Sequence, residues 1–305
     1  MSASAVIRRA ATVLAVGGAL ASVGACGASP AGSGDGRLTA VHVSPSATPT
    51  LATTASVSLP VEDYLLRNDE HAEILHASKI LVRQCMARYG FDYAVDPAST
   101  NPPDPKGDPA NLPRRYGISD PATAARYGYH PADGSLPSAP AATAQPMSGA
   151  ERSVFLGNSS RYKGQRIPDH GCSGEAQRKL GQGLDERLPE SIDDASFQQS
   201  MAAPQVTAVF QAWSACMAKS GYTFRDPLEP LRSKLSASPT ASEIRTAESD
   251  LACKRTTNLI GVWVAVESAV QNALIEKNQE ALAQTRATAR DTLARSAKVV
   301  AEGAS

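Results

Sequence analysis

Four cysteines at related positions carry the clearest chemical signal in this chain. Cys85 opens the stretch Cys85-Met86-Ala87-Arg88-Tyr89-Gly90-Phe91, and Cys216 opens Cys216-Met217-Ala218-Lys219-Ser220-Gly221-Tyr222. Each copy has a downstream partner in which Asp stands three residues before Cys: Asp169 and Cys172, then Asp250 and Cys253. Redox catalysis favours close pairs such as Cys-x-x-Cys with a depressed thiol pKa, and a zinc site wants clustered ligands. These cysteines lie far apart, so structural disulfides are the expected chemistry. In each copy the cysteine sits in the last turn of an amphipathic helix and the methionine fills the space beside it. The glycine supplies the positive φ that ends the helix, and the aromatic residue folds back over the end. Four cysteines allow three connectivities. One bridge per repeat, Cys85 with Cys172 and Cys216 with Cys253, is the pairing expected, with crossed pairings as the alternative. Asp169 and Asp250 are expected to play a structural role beside the bridges, and the competing reading is a solvated aspartate.

Other reactive groups are thinly supplied. Asp169, His170 and Glu175 lie close together, and Glu70, His71, Glu73 and His76 share a helical stretch. No His-x-x-x-His or His-Glu-x-x-His pattern accompanies them. Nucleophile-elbow, phosphate-loop and dinucleotide-binding glycine patterns are also absent from the sequence. No catalytic residue, metal ligand or cofactor is therefore assigned. An envelope-acting hydrolase using Asp169, His170 or Glu175 is the alternative reading, and a redox-responsive protein is a weaker one. Arg114-Arg115-Tyr116 and Arg126-Tyr127-Gly128-Tyr129 are a different kind of candidate. Arginine and tyrosine are enriched at recognition surfaces, and these sit in a proline-rich stretch, where binding residues often lie. Arg114, Arg115, Tyr116, Arg126, Tyr127 and Tyr129 form the candidate binding patch. The alternative is that they anchor the loop to the body. Trp213 and Trp263 are expected in the core.

The positioning elements follow from composition and pattern. Aromatics make up only 5% of a chain that is 42% hydrophobic, so alanine supplies much of the apolar content and helices are favoured. Thirty basic and thirty acidic residues balance, with no basic stripe, which argues against a nucleic-acid partner. Arg8-Arg9, the apolar stretch from Ala10 to Val23 and the small residues Val23-Gly24-Ala25 before Cys26 form an export signal. The last four resemble a bacterial lipobox, so residues 1–25 are read as a signal peptide and Cys26 as the lipidated residue. Cleavage and secretion without lipid is the alternative. Residues 26–60, rich in Ala, Gly, Ser, Thr and Pro, are read as lipid anchor and flexible tether.

From there the sequence predicts a mainly α, disulfide-stapled helical bundle built from two internal repeats. Repeat one spans 61–190 and repeat two spans 191–305. A helix is expected over 61–89. Residues 96–148 hold eleven of the 21 prolines and are expected to form an irregular insertion, with a short helix from Asp120-Pro121 to Tyr127. Helices are also expected near 148–157, from a Ser148/Glu151 capping box, and over 173–180, 193–201 and 204–220. From Thr240 to about Val299 one long helix is expected, up to about 90 Å if unbroken. Its section Leu259–Val266 should be central, and its end, Glu276–Ala301, should project or pair as a coiled coil with a partner helix.

Taken together, the paired Cys-Met-x-x-x-Gly-aromatic and Asp-x-x-Cys elements, the lipobox, and the Cys253-to-Leu282 stretch with Trp263 and Gln271 resemble a group of uncharacterised exported lipoproteins of actinobacteria. The similarity covers most of residues 61 to 300. It implies an envelope location, on the outer face of the cytoplasmic membrane, and disulfide-bonded cysteines; it implies no substrate. The expected role is that of a non-enzymatic, membrane-anchored binding or scaffold protein. Its partner would be an envelope protein or peptidoglycan, engaged through the 96–148 insertion or the C-terminal helix.

Overall fold

The computed structural model describes residues 38–95, 109–131, 147–181 and 184–303, and these are mainly α-helical. The lipidation candidate Cys26 and most of the prolines of the insertion lie outside the described residues. A single 3-10 turn, Pro60–Tyr64, leads into α1 (Asn68–Ala87). Then come α2 (Leu112–Arg115), α3 (Pro121–Tyr127) and α4 (Gly149–Leu156). A small hairpin of β1 (Arg161–Tyr162) and β2 (Gln165–Arg166) precedes α5 (Gly171–Leu180). The second half holds α6 (Arg187–Met201), α7 (Pro204–Lys219), α8 (Glu229–Arg232), α9 (Ala241–Thr257), α10 (Leu259–Lys277) and α11 (Gln279–Gly303).

The cysteine motif is the same device used twice. Gly90 and Gly221 adopt φ of 77° and 85°. The amide of Phe91 donates to Met86 O at 3.2 Å and that of Gly90 to Ala87 O at 3.0 Å. Tyr222 to Met217 O at 3.1 Å and Gly221 to Ala218 O at 3.0 Å repeat the pattern. These are the paired bonds of a Schellman cap, which satisfies the last carbonyls of a helix. Cys85 bridges Cys172, joining α1 to α5, and Cys216 bridges Cys253, joining α7 to α9. The bridges close sequence separations of 87 and 37 residues. In the chain-entropy account such loops are worth about 4.6 and about 3.8 kcal/mol as upper values.

The halves are not separate bodies. The described residues from 38 to 303 pack as one unit, and the expected boundary at 190/191 falls inside α6. Around the first bridge, Ala77, Leu81, Val82, Met86, Val154, Ala176 and Leu180 form one apolar cluster. Around the second, Val206, Phe210, Trp213, Met217, Ile260 and Trp263 form another. Both tryptophans are fully buried, as expected. Helix α10 is the one described helix long and apolar enough to cross a membrane. Most of it is covered by α6, α7 and the 3-10 turn, which makes it the core helix.

Three expectations need correction. First, the long C-terminal helix is broken twice. Asn258 adopts a left-handed conformation (φ 52°) between α9 and α10, which Asn tolerates better than most residues. Asn278 turns its side-chain amide onto Leu274 O at 2.7 Å and ends α10. Second, α11 does not project. It lies along α1 and buries Leu282, Ala289, Thr292 and Ser296, starting beside Val61 and ending on Ile80.

Third, residues 38–60 are not a free tether. They form a strap across the body, with Leu38, Val41 and Val43 against Val270 and Leu274, and Leu51 and Val57 against the tryptophan cluster. Such a segment cannot fold alone, but side chains of the body satisfy its backbone. Gln199 accepts from the Val41 amide at 3.0 Å. Asn258 holds both sides of one bend, accepting from the Leu51 amide at 3.0 Å and donating to Pro49 O at 2.9 Å. One turn on, a Cβ at Gly261 would collide with the Pro49 carbonyl, so glycine is what lets the strap lie close. The β-hairpin was also not anticipated, although Lys163-Gly164 at its tip, both at positive φ, is a type I′ turn signal.

Asn258→Gly keeps the left-handed φ and removes both side-chain bonds. It is expected to cost about 1–2 kcal/mol and to accelerate amide exchange across 38–58. Asn258→Ala should cost about 1 kcal/mol more, from the strained φ. Hydrogen-exchange mass spectrometry with denaturant titration measures both.

Candidate functional site

The arginine and tyrosine residues of the insertion divide sharply. Arg115, Tyr116 and Tyr129 are buried and belong to the core. Arg115 donates to Glu267 Oε1 from Nε at 2.9 Å and from Nη2 at 2.5 Å. It also reaches Asp193 at 2.9 Å and Ala110 O at 2.9 Å. The Tyr116 hydroxyl donates to Glu267 Oε2 at 2.8 Å. Ser196 adds a long bond to Glu267 at 3.4 Å and receives Gln271 at 3.0 Å, whose carbonyl accepts the Val61 amide at 3.0 Å. Burial alone would pull the Arg115 guanidinium down, but Glu267 and Asp193 hold it well above its ordinary range. Dehydration lifts Glu267, while Arg115 and Tyr116 pull it back toward the ionised form.

A second network closes the other end. Asp250 and Lys254, one turn apart on α9, are both fully buried and 3.1 Å apart. Asp250 accepts Trp213 Nε1–H at 2.9 Å and the Tyr129 hydroxyl at 3.4 Å, and Lys254 donates to Ile118 O at 2.8 Å. Burial raises the Asp250 carboxyl and lowers the Lys254 ammonium. In the third network Glu243 Oε1 accepts the Tyr129 amide and faces His130 Nδ1, both at 2.8 Å, while His130 Nε2 faces Ser236 O at 2.9 Å. Arg114, half-buried, ties the turn together by donating to Tyr129 O at 2.8 Å.

The described middle of the insertion, residues 109–131, is therefore a core element of the second half. Arg115, Tyr116 and Tyr129 are corrected from binding patch to anchor, because both hydroxyls and the guanidinium are consumed by buried carboxylates. Arg114 lines a shallow pocket with Phe197, Leu228 and Leu231. Arg126 and Tyr127 stay on the outer face, with the guanidinium 5.0 Å from the ring centre.

The other sequence candidates disperse. Asp250 is the structural aspartate that the repeat predicted, but the Asp169 carboxylate is 83% exposed, 4.0 Å from Arg166. His170 is in a left-handed conformation at the start of α5, and Glu175 pairs with Arg88 and Lys179. The structure does not gather Asp169, His170 and Glu175 into one cleft around a reacting atom. Among the described residues no group of three or more His, Cys, Asp or Glu is placed to hold a metal.

One concavity was not anticipated. A half-open cleft of about 780 Å³ lies between the strap (Thr53 to Ser58), the 3-10 turn, the segment from Pro109 to Asp120, and α11. Its carboxylates are mostly committed. Glu62 accepts the Leu59 amide at 2.7 Å, Glu70 caps α1 and pairs with Arg67, and Asp120 caps α3 through the Thr123 amide at 2.6 Å. On the opposite wall Arg286 and Arg290 stand one turn apart, and neither forms an ion pair among the described residues. Arg286 packs 5.9 Å from the Tyr64 ring centre. Only the tertiary structure could reveal this site, since its walls come from segments more than 200 residues apart. Comparison of the chain with protein-family models, with curated proteins and with solved structures returns no match.

Two expected outcomes follow from the buried networks. Glu267→Ala leaves Arg115 and Tyr116 facing a void and should cost about 3–5 kcal/mol in denaturant unfolding. His130 is held above its usual 6.5: burial pulls it down, but the Ser236 carbonyl and Glu243 outweigh that. Its contribution is complete below pH 6.5 and is lost as pH rises through the higher folded value. The unfolding midpoint should fall over that range in the wild type, and Glu243→Gln should flatten the slope.

Proposed function

We propose that this chain is an exported, lipid-anchored and non-enzymatic binding protein of the cell envelope. The observation that supports this reading best is how the five cysteines divide. Four form two bridges within the body, as suits an oxidising, exported setting. The fifth, Cys26, precedes the described residues and stands at the lipobox position in the sequence. Lipid on Cys26 would seat the protein on the outer face of the cytoplasmic membrane. The cleft beside α11 is then the binding surface, rather than the arginine and tyrosine residues that hold the core. Envelope material, protein or peptidoglycan, remains the partner class.

Cys26→Ser tests the anchor. It should abolish incorporation of a clickable fatty acid and shift the protein from the membrane fraction to the medium, with both disulfides intact by non-reducing peptide mapping. Retention in the membrane without label would overturn the lipid anchor.

A further inference from the structure

The cleft beside α11 is lined by two arginines, Arg286 and Arg290, that form no ion pair among the described residues. We infer that Arg286 and Arg290 form a binding site for a phosphate group, carried on a small molecule or on a lipid headgroup. This rests on the reading of the cleft as the binding surface and adds the chemistry of what it binds.

Side chains four apart on a helix stand about 5–6 Å apart at Cβ, so Arg286 and Arg290 can close on one ligand group from the same wall of the cleft. Guanidinium forks pair bidentately with carboxylates and phosphates alike. A tetrahedral phosphate sets its oxygens out of one plane, so two planar forks can approach it from different directions at once. Four carboxylates, Glu62, Asp63, Glu70 and Asp120, line the same cleft, and the anion binds at the α11 wall against their charge. Glu62, Glu70 and Asp120 accept backbone amides at helix ends, and Arg67 is taken by Asp69 and Glu70. Asp63 is the one rim carboxylate outside these caps and pairs, and it opposes the ligand. Tyr64 steadies Arg286 through its ring. Leu65, Leu112 and Leu293 line the same cleft and offer apolar surface to the carbon stem of a phosphate ester.

The test uses the full lipoprotein in detergent, titrated calorimetrically with glycerol 3-phosphate. In parallel, the Cys26→Ser protein, which carries no lipid of its own, is floated with phosphatidylcholine vesicles with and without phosphatidylglycerol. Arg286→Ala with Arg290→Ala should weaken binding about tenfold or more, Asp63→Asn should tighten it, and Arg245→Ala, on the exposed face of α9, should leave it unchanged. Binding to glycerol 3-phosphate with this pattern assigns a soluble phosphate ester. The same pattern confined to phosphatidylglycerol vesicles assigns a lipid headgroup. Absence of binding to either probe overturns the inference, as does equal weakening by Arg245→Ala, which would mean diffuse attraction. Cell fractionation of the wild type beside Cys26→Ser reads the anchor separately: a protein that Cys26→Ser releases to the medium but that binds neither probe removes only the phosphate site, whereas a phosphate-binding protein that stays in the membrane fraction without Cys26 removes only the anchor.

Discussion

The Arg115–Glu267 ion pair is the constraint on which the rest of the second half depends. Two charges removed from water are expensive unless every remaining donor and acceptor is met. Here they are met by Tyr116, Asp193, Ser196 and the Ala110 carbonyl. Those partners come from two pieces of chain, α6 and the segment around α2, and Glu267 itself from a third, α10. The pair can persist only if α6, α10 and the segment around α2 hold one relative position, and that position in turn lets Gln271 reach the 3-10 turn through the Val61 amide. A hydrophobic substitute would tolerate sliding of these elements; a saturated charge network does not.

The first half is held by a different means. Its cluster around Cys85–Cys172 is small and flanked by short elements, α4, α5 and the hairpin. With alanine supplying much of the apolar content, such faces bury little area per residue, and the covalent bridge offsets part of the chain entropy that packing alone would have to overcome. Helix α11 then joins the halves. Its small buried residues, Ala289, Thr292 and Ser296, give a narrow face on which α1 can lie.

Arginine shows why site prediction from this sequence fails where fold prediction succeeds. Arg115 and Arg286 are the same residue type in comparably polar surroundings of sequence. One is buried between two carboxylates contributed from 78 and 152 residues away. The other stands unpaired in a cleft whose facing wall comes from the strap and the 3-10 turn. Local pattern carries no information about a partner that distant. The same holds for Asp169 and Asp250, which share a spacing to cysteine yet end one exposed and one fully buried.

What the sequence by itself determined was local: the helices, their caps at Asp120, Ser148 and Thr240, the twin Schellman ends, and the cysteine pairing that those ends imply. These depend on residues within a turn or two of one another, so their energetics are written in spacing. The tertiary structure decided the rest. It turned a tether into a strap, because Gln199 and Asn258 satisfy a backbone that could not satisfy itself. It divided one long helix into three, because Asn258 and Asn278 are more useful as clasp and cap than as helical residues. And it drew Arg115, Tyr116 and Tyr129 of the tyrosine-rich loop into the core, while Arg286 and Arg290, which form no ion pair among the described residues, line a cleft.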